Sequence, residues 1–365
     1  MRSNSSKQPT FNRSTRIQTN GVVNCLLDDK ESCEIIGVGS DPYDLMFCRA
    51  HKRYLIPHST KHDYKEAFLK VLDKEKPDIV HFQHDVEMAI ALKFADEIKA
   101  RGCILYVPDY ETIDTCVYKY KSWEKFKAAG IKVPQNVVIN SEDDLEKAFS
   151  ELTDGNTPIW FRPMIVGNGG RGSFCTKDIN EAKEYIFNAN TWGTYMAAEY
   201  LPGDMVTWLS IWNNGDLIVA QGRKRGGWAY SSMSASGVTG ITKIGITYSS
   251  PELDDIAIKC CKAVASNGKP HGIFGVDLKC DRNGIPNPTE VNISRFFATV
   301  EFFEKAGLNM PAIFKDVALY GKKPELKKIL NPLPDDLLWL RSLDDRPILT
   351  TKEEMANTLI DWHKI

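Results

Sequence analysis

Between residues 20 and 110, short apolar runs of strand length alternate with longer segments of helical period. Residues 34–38, 79–82 and 104–107 read as strands, and 64–74 and 87–100 as helices, the last long and amphipathic. Strands alternating with helices predict a parallel sheet with helices on both faces, and ligands in such sheets bind beyond the carboxyl ends of the strands. His81, Gln83, His84, Asp85 and Glu87 follow the run IVHF and fall at that edge. The first strand is the odd one, because the glycine-rich turn expected after it is reduced to TNGVVNC.

Further along, the pattern becomes that of antiparallel units. Residues 117–129 form an amphipathic helical stretch, GIKVPQNVVI enters a strand, and 142–152 and 180–188 read as helices. Strands at 208–212 and 217–221 flank the turn Asn213-Asn214-Gly215-Asp216, and 253–266 is helical. The polar, basic stretch RKRGGWAYSSMSAS at 223–236 reads as a loop, either facing a substrate or facing solvent. Residues 337–365 end in a helical segment read as a packing lid.

The segment GIFGVDLKCDRNGIPNPTEVNISR at 272–295 carries the first candidate chemistry. Val276, Leu278 and Cys280 alternate with Asp277, Lys279 and Asp281, and Asn283-Gly284 is a strong hairpin signal. Pro286 and Pro288 delay the returning strand and leave its register open. On that return Glu290 and Asn292 share a face, since side chains two apart in a strand point the same way. Two carboxylates and an amide oxygen suit Mg²⁺, which takes hard oxygen donors and completes its shell with water and phosphate. A polar hairpin face in solvent has the same pattern.

A second element, PIWFRPMIVGNGGRGSFC at 158–175, runs from a strand ending near Arg162 into a loop with glycines at 167, 169, 170 and 172, then returns as a strand at 173–175. Glycines let backbone amides approach a phosphate, and Arg162 and Arg171 add guanidinium forks matched to its oxygens. No GK[ST] follows the glycines, so this is not a Walker loop, nor does it open a helix as a dinucleotide fingerprint would.

Taken in order, the RP strand, the glycine loop, Glu199-x-Leu201-x-Gly203, Arg223-x-Arg225, VDLK and EVN resemble the ATP-grasp superfamily. Within it the chain is most similar to the large subunit of carbamoyl-phosphate synthetase and its stand-alone ligase relatives, over roughly residues 20 to 345. The resemblance implies an α/β, Rossmann-like pre-ATP-grasp domain followed by a two-lobed α+β grasp. The implied division is a flexible tail at 1–19, the first domain at 20–115, grasp subdomains at 116–195 and 196–325, and a C-terminal packing segment at 326–365.

Carried over residue by residue, it implies that Lys121, Arg162 and the loop Gly169, Gly170, Arg171 and Gly172 meet the nucleotide phosphates. Glu199 and Leu201 would meet the adenosine, with Asp204 the nearest carboxylate after the linker glycine. Asp277, Glu290 and Asn292 would be metal ligands. The family reads Asn-Pro-Arg where this chain reads Asn292-Ile293-Ser294-Arg295, so the arginine is displaced by one residue. Arg223, Arg225 and Arg295 are then the candidates to clamp an acceptor carboxylate or acyl phosphate. The implied cofactors are ATP and Mg²⁺, two ions with Mn²⁺ as a substitute. The implied reaction phosphorylates a small carboxylate and passes the acyl group to an amine. Two alternatives stay open: phosphorylation of bicarbonate, carbamate or another small acid without ligation, and a nucleotide-binding regulatory protein without turnover. The first domain would help to hold the acceptor.

Composition narrows the class rather than the reaction. With 365 residues the chain is long enough for two or three small domains, and 46 basic against 48 acidic residues give no bulk charge that calls for nucleic acid or an anionic membrane. No apolar run of transmembrane length occurs, and the N-terminus has Arg and Ser with no acid before Asp28, fitting a polar tail or a transit peptide. Nine cysteines without CxxC or Cys/His spacing read as small buried residues in a reducing compartment, so a cytoplasmic protein is expected, with a homodimer left open.

Overall fold

The computed structural model describes residues 9–12, 20–165, 172–188, 192–233, 237, 241–341 and 356–364. The first domain begins with β1 (Pro9–Asn12) and α1 (Asn20–Leu27), then β2 (Ile36–Gly39), α2 (Pro42–Met46), β3 (Lys52–Leu55), α3 (Tyr64–Glu75) and β4 (Ile79–Phe82). It continues through α4 (Asp85–Ala91), α5 (Ala95–Ala100) and β5 (Ile104–Leu105). A short strand near the C-terminus joins this sheet, and the order is that strand, then β3-β2-β1-β4-β5, with every pairing parallel.

Three expectations change here. The N-terminal segment is not wholly a tail, because β1 lies between β2 and β4, with Thr10 opposite both Ile36 and Val80. NGVVNC at 20–25 belongs to α1 rather than to a first strand, and Val22, Val23 and Cys25 are buried. The expected single helix at 87–100 is also broken. A 3-10 turn at Leu92–Phe94 carries the Phe94 ring edge-on to Tyr64 and Phe68.

The chain then runs through α6 (Tyr110–Val117) and α7 (Lys119–Ala128) into a four-stranded antiparallel unit. It is built from β6 (Asn136–Ile139), α8 (Glu142–Leu152), β7 (Ile159–Pro163), β8 (Phe174–Thr176), α9 (Ile179–Asn188) and β9 (Tyr195–Ala198), in the sheet order β6-β9-β7-β8. Ser141 and Asp144 form a capping box that starts α8 where the acidic first turn suits the helix dipole. This lobe has its own apolar core of Val137, Ile139, Phe161, Phe174 and Ala197, among others.

The third sheet contains β10 (Met205–Asn213), β11 (Asp216–Trp228), β12 (Thr242–Thr247), β13 (Gly272–Cys280), β14 (Pro286–Ile293) and β15 (Leu338–Leu340), in the order β14-β13-β10-β11-β12-β15. Helix α10 (Pro251–Val264) joins β12 to β13, and α11 (Val300–Lys305) and α12 (Met310–Tyr320) follow β14. The substrate-facing loop expected from Arg223 onward is a correction: β11 continues to Trp228, with Arg223 and Arg225 inside the strand. Two core clusters run continuously from the first domain into this sheet, joining Ile36, Phe82 and Phe126 to Trp208 and Val276, and Val22 and Ile79 to Leu209 and Phe296. The first domain and this sheet therefore share a core, whereas the small lobe has its own.

The C-terminal stretch closes sheet edges instead of forming a lid: β15 borders β12, and β16 (Ile360–Asp361) is the strand that borders β3. Every cysteine is free, most are buried, and Cys175 is exposed. Among the described residues no helix is long and apolar enough to cross a membrane.

Candidate active site

The register of the third sheet lines up the chemistry. Thr207 on β10 stands opposite Arg223 on β11 and opposite Asp277 on β13, and Asp277 stands opposite Glu290 on β14. Residues directly opposite in antiparallel strands share a face, so Arg223, Thr207, Asp277 and Glu290 form one row across four strands. The β13–β14 ladder slips between Asp277 and Leu278, where Thr289 is the extra residue. That bulge settles the register left open by the prolines. Thr289 ties back through its hydroxyl to the Asp277 carbonyl at 3.0 Å, and its own carbonyl accepts from Arg162 Nη1 at 3.2 Å.

Asp277, Glu290 and Asn292 do come together. Asn292 Nδ2 donates to Asp277 Oδ2 at 3.1 Å, and Arg225 Nη2 straddles both Asp277 oxygens at 3.1 and 3.2 Å. Glu290 is paired to Lys119 Nζ at 2.9 Å. Burial pushes the Glu290 carboxyl up, but Lys119, Arg162 and Arg295 outweigh it and hold it down to about 2. Asp277, buried and facing Glu290, is instead raised, with Arg225, Arg223 and Arg295 opposing the shift.

The arginines are buried with spare donors. Arg223 is 2% exposed, donates through Nε to Thr207 Oγ1 at 2.8 Å and lies 4.6 Å over the Phe297 ring. Burial and the adjacent Arg225 lower it to about 9. Arg162 is also lowered by burial, against the pull of Glu290. Arg162 Nε, Arg223 Nη1 and Arg225 Nε are buried without a hydrogen-bond partner. A buried guanidinium N–H left unpaired is costly, so three of them around one pair of carboxylates mark a place for anionic oxygens.

The remaining expected residues fall less centrally. Lys121 is paired to Asp114 and lies over the Tyr118 ring, half exposed; the lysine that reaches the site is Lys119, two residues earlier. Two helical positions differ by about 200° around the axis, so only one of the pair faces inward. Glu199 is exposed, accepts from the Gln135 amide at 3.4 Å and lies beside buried Leu201 in the link between lobes. Asp204 pairs with Lys224 at 3.1 Å, largely in solvent. Gly203 is held where a Cβ would lie 2.8 Å from the Cys280 carbonyl oxygen, so the link presses directly on the hairpin. Gly169, Gly170 and Arg171 lie outside the described residues. Gly172 anchors the returning end of that loop at φ +78, with its carbonyl accepting from Tyr195 Oη at 2.7 Å.

Arg295 reaches the site despite its displacement. It donates to Asn292 Oδ1 and, through Nε, to Asp85 Oδ2 at 2.7 Å. Asp85, Gln83 and His81 are buried against this segment, whereas Glu87, whose carboxylate accepts from Tyr64 Oη at 2.9 Å, also lines a small cavity with Ser40, His58 and Ser59 at the ends of β2 and β3. Sequence reasoning missed Lys119 and Thr207; Thr207 falls just before the strand read at 208–212, among apolar neighbours, and nothing local linked it to Asp277.

Among the described residues no cluster of three or more His, Cys, Asp or Glu gathers as a self-sufficient metal cage. Two carboxylates and an amide fit Mg²⁺ shared with phosphate oxygens, which needs few protein ligands.

No family model matches the chain. It is 27% identical over 172 residues to the N-terminal section of the carbamoyl phosphate synthase large chain of Aquifex aeolicus, covering 46% of this chain and 29% of that protein. It is 31% identical over 125 residues to the carbamoyl phosphate synthase large chain of Clostridium beijerinckii, covering 34% and 11%. The matches thus span less than a third of the length of these curated relatives. Among solved structures, carboxyaminoimidazole ribonucleotide synthase from Aspergillus clavatus complexed with ATP superposes with a TM-score of 0.66 at 13% identity, covering 90% of this chain and 80% of that one. Biotin carboxylase from Campylobacter jejuni gives 0.66 at 15%, covering 88% and 73%. The L-amino acid ligase of Bacillus licheniformis gives 0.62 at 13%, covering 86% and 75%.

The chain has the ATP-grasp fold. In ATP-grasp terms the four-stranded lobe and the β10–β15 sheet are the two halves of the grasp, and the Arg223–Glu290 row lies on the larger half, with Arg162 reaching it from the smaller.

Proposed function

We propose that this chain is an ATP-dependent carboxylate-amine ligase, which activates a small carboxylate as an acyl phosphate and joins it to an amine with release of ADP and phosphate. The observation that carries the reading is the convergence of Asp277, Glu290 and Asn292 with buried cations that keep unpaired donors, Arg162, Arg223 and Arg225. A site with more buried cations than carboxylates is one for anionic oxygens, and phosphoryl transfer develops charge on just such atoms.

Asp277, Glu290 and Asn292 would hold Mg²⁺, which when bound draws charge from phosphoryl oxygens. Lys119, at the start of α7, and Arg162, on β7 of the small lobe, stand at Glu290 and would meet the phosphates. Arg225, Arg223 and Arg295 sit along the opposite side and would orient the carboxylate of the acceptor or its acyl phosphate by bidentate contacts. Closing the small lobe would exclude water from an acyl phosphate that hydrolyses readily. Glu199 and Leu201 in the link would lie against the adenosine.

The test is ADP release with Mg²⁺ and ATP across amino acids and other small carboxylates, with and without amines, beside Asp277→Ala and Glu290→Ala. Release that needs both partners and vanishes in the two variants supports the ligase. Tight nucleotide binding without release under any pairing overturns it. A second reading, phosphorylation of a small acid such as bicarbonate or carbamate without ligation, is favoured by the likeness to carbamoyl phosphate synthase large chains. Release that needs the acid but no amine selects that reading.

A further inference from the structure

The end of β14 and the connection to α11 are held at four consecutive positions, three of them to the first domain and one, Ser294, to β13. The Ile293 amide donates to Asp85 Oδ1 at 3.1 Å, and the Ser294 amide donates to the Ile273 carbonyl at 2.8 Å. Arg295 Nε donates to Asp85 Oδ2 at 2.7 Å, and the Phe296 amide donates to Gln83 Oε1 at 2.8 Å. Ser294 adopts φ 50, in the left-handed region that non-glycine residues seldom occupy. The left-handed turn absorbs the additional residue between Asn292 and its arginine and swings Arg295 back until its fork touches Asn292.

Asp85 is fully buried, and its carboxylate uses each oxygen once, on a backbone amide and on the guanidinium. Burying a charge pair is costly and gives little net stability compared with apolar packing. A fold that only needed to attach this segment would be served by Gln83 and the amide contacts. What the carboxylate adds is direction: it fixes Nε of Arg295 and so leaves the far end of the fork aimed at Asn292 and the Asp277–Glu290 pair.

We infer that Asp85, supported by Gln83, is a positioning residue for Arg295, so that the first domain takes part in the reaction by aiming an arginine of the grasp. This rests on the ligase reading, in which Arg295 meets the acceptor carboxylate or the acyl phosphate. It assigns the β4 edge a role in aiming instead of in holding substrate itself.

The test compares wild type with Asp85→Asn, Asp85→Glu, Arg295→Gln and the double variant Asp85→Asn/Arg295→Gln, measuring Mg·ATP affinity, kcat, KM for the carboxylate and melting temperature. A misaimed group costs roughly 100-fold in rate when displaced by about an ångström. Asp85→Asn is therefore expected to lower kcat/KM for the carboxylate by that order while Mg·ATP affinity changes less than about twofold. The double variant is expected to be no slower than Arg295→Gln alone, because a residue acting through another has no effect once that other is gone. Should Asp85→Asn fail to fold with an unpaired guanidinium inside, Asp85→Glu keeps the charge and lengthens the side chain by one methylene, and the same loss of kcat/KM at unchanged ATP affinity is expected. Wild-type turnover in Asp85→Asn or Asp85→Glu, or losses that multiply in the double variant, overturns the positioning role and leaves the ligase standing. A wild-type protein that neither binds nor turns over Mg·ATP overturns the ligase reading and this inference with it.

Discussion

Replacing Arg223 by methionine should make the protein more stable and less active. Arg223 is 2% exposed and its guanidinium is lowered from its ordinary value to about 9, chiefly by burial and then by Arg225 beside it. A shift of that size corresponds to about 5 kcal/mol of unfavourable charge burial at neutral pH, at about 1.4 kcal/mol per unit. Methionine loses the Nε bond to Thr207 and the stacking on Phe297, together worth about 2 to 4 kcal/mol. The balance is a gain of about 1 to 3 kcal/mol, in line with buried charges replaced by apolar side chains of similar volume. At about 2 °C per kcal/mol for a chain of this length, the melting temperature should rise by roughly 2 to 6 °C. The sign is fixed by linkage. A cation whose folded value lies below its unfolded one destabilises fully below pH 9, and the cost fades as pH rises from about 9 toward the ordinary guanidinium range. The gap between variant and wild type should accordingly narrow in alkali. Thermal melts at pH 7 and pH 10, with and without inorganic phosphate, measure all of this, and phosphate should protect wild type more than the variant. A lower melting temperature for Arg223→Met at pH 7 would refute the argument, since it would mean that the charge is already compensated within the fold.

Gly203→Ala should destabilise by about 1 to 3 kcal/mol, as overpacking does, because the new methyl would lie 2.8 and 2.9 Å from the carbonyl oxygens of Cys280 and Asp281; a denaturant midpoint unchanged from wild type would contradict the close approach. Ser294→Gly should fold at least as well as wild type, whereas Ser294→Val at φ 50 should cost about 1 to 3 kcal/mol and lower turnover, read by melting and ADP release. Glu290, pushed up by burial but held down overall by Lys119 and Arg162, contributes stability that is fully present above pH 4.5 and lost as pH falls below it. Denaturant unfolding between pH 6 and 2.5 should therefore show wild type losing its advantage over Glu290→Gln in acid, and parallel curves would count against the Lys119–Glu290 pair.

The hairpin of β13 and β14 was legible because strict alternation and Asn283-Gly284 are local signals, and so was the helix of α8, where Ser141 and the acids after it announce a cap. What escaped is what long-range pairing decides. PTFN at Pro9–Asn12 has no apolar run of its own, yet it takes a central place in the sheet because β2 and β4 leave a gap that its backbone fills. RKRGGW reads as a surface loop since arginines are seldom buried; here β11 keeps its ladder with β10 as far as Lys224 and with β12 through Arg225, and the arginines face a site instead of solvent. Lys121 was favoured over Lys119 by matching a motif in one dimension, while the phase of α7, set by burial of Ser122 and Phe126, turns Lys119 to Glu290.

The two opposed carboxylates are pushed in opposite directions by neighbours that belong to different bodies of the protein. Asp277 is raised within a row carried by the large half of the grasp, whose core is continuous with the first domain. Glu290 is lowered in part by Arg162, which hangs on β7 of the lobe with a separate core and touches the hairpin at the Thr289 carbonyl. Moving the small lobe away would carry Arg162 with it, raise the charge cost at Glu290 and leave the row on the large half intact. The grasp and the electrostatics are thus coupled: the closed arrangement completes the cationic side of the site and gives Glu290 one of the cations that keep it ionised. On the ligase reading, phosphate contacts would then be controlled in part from the small lobe, while the acceptor would be aimed from the large half and the first domain, where Asp85 holds Arg295.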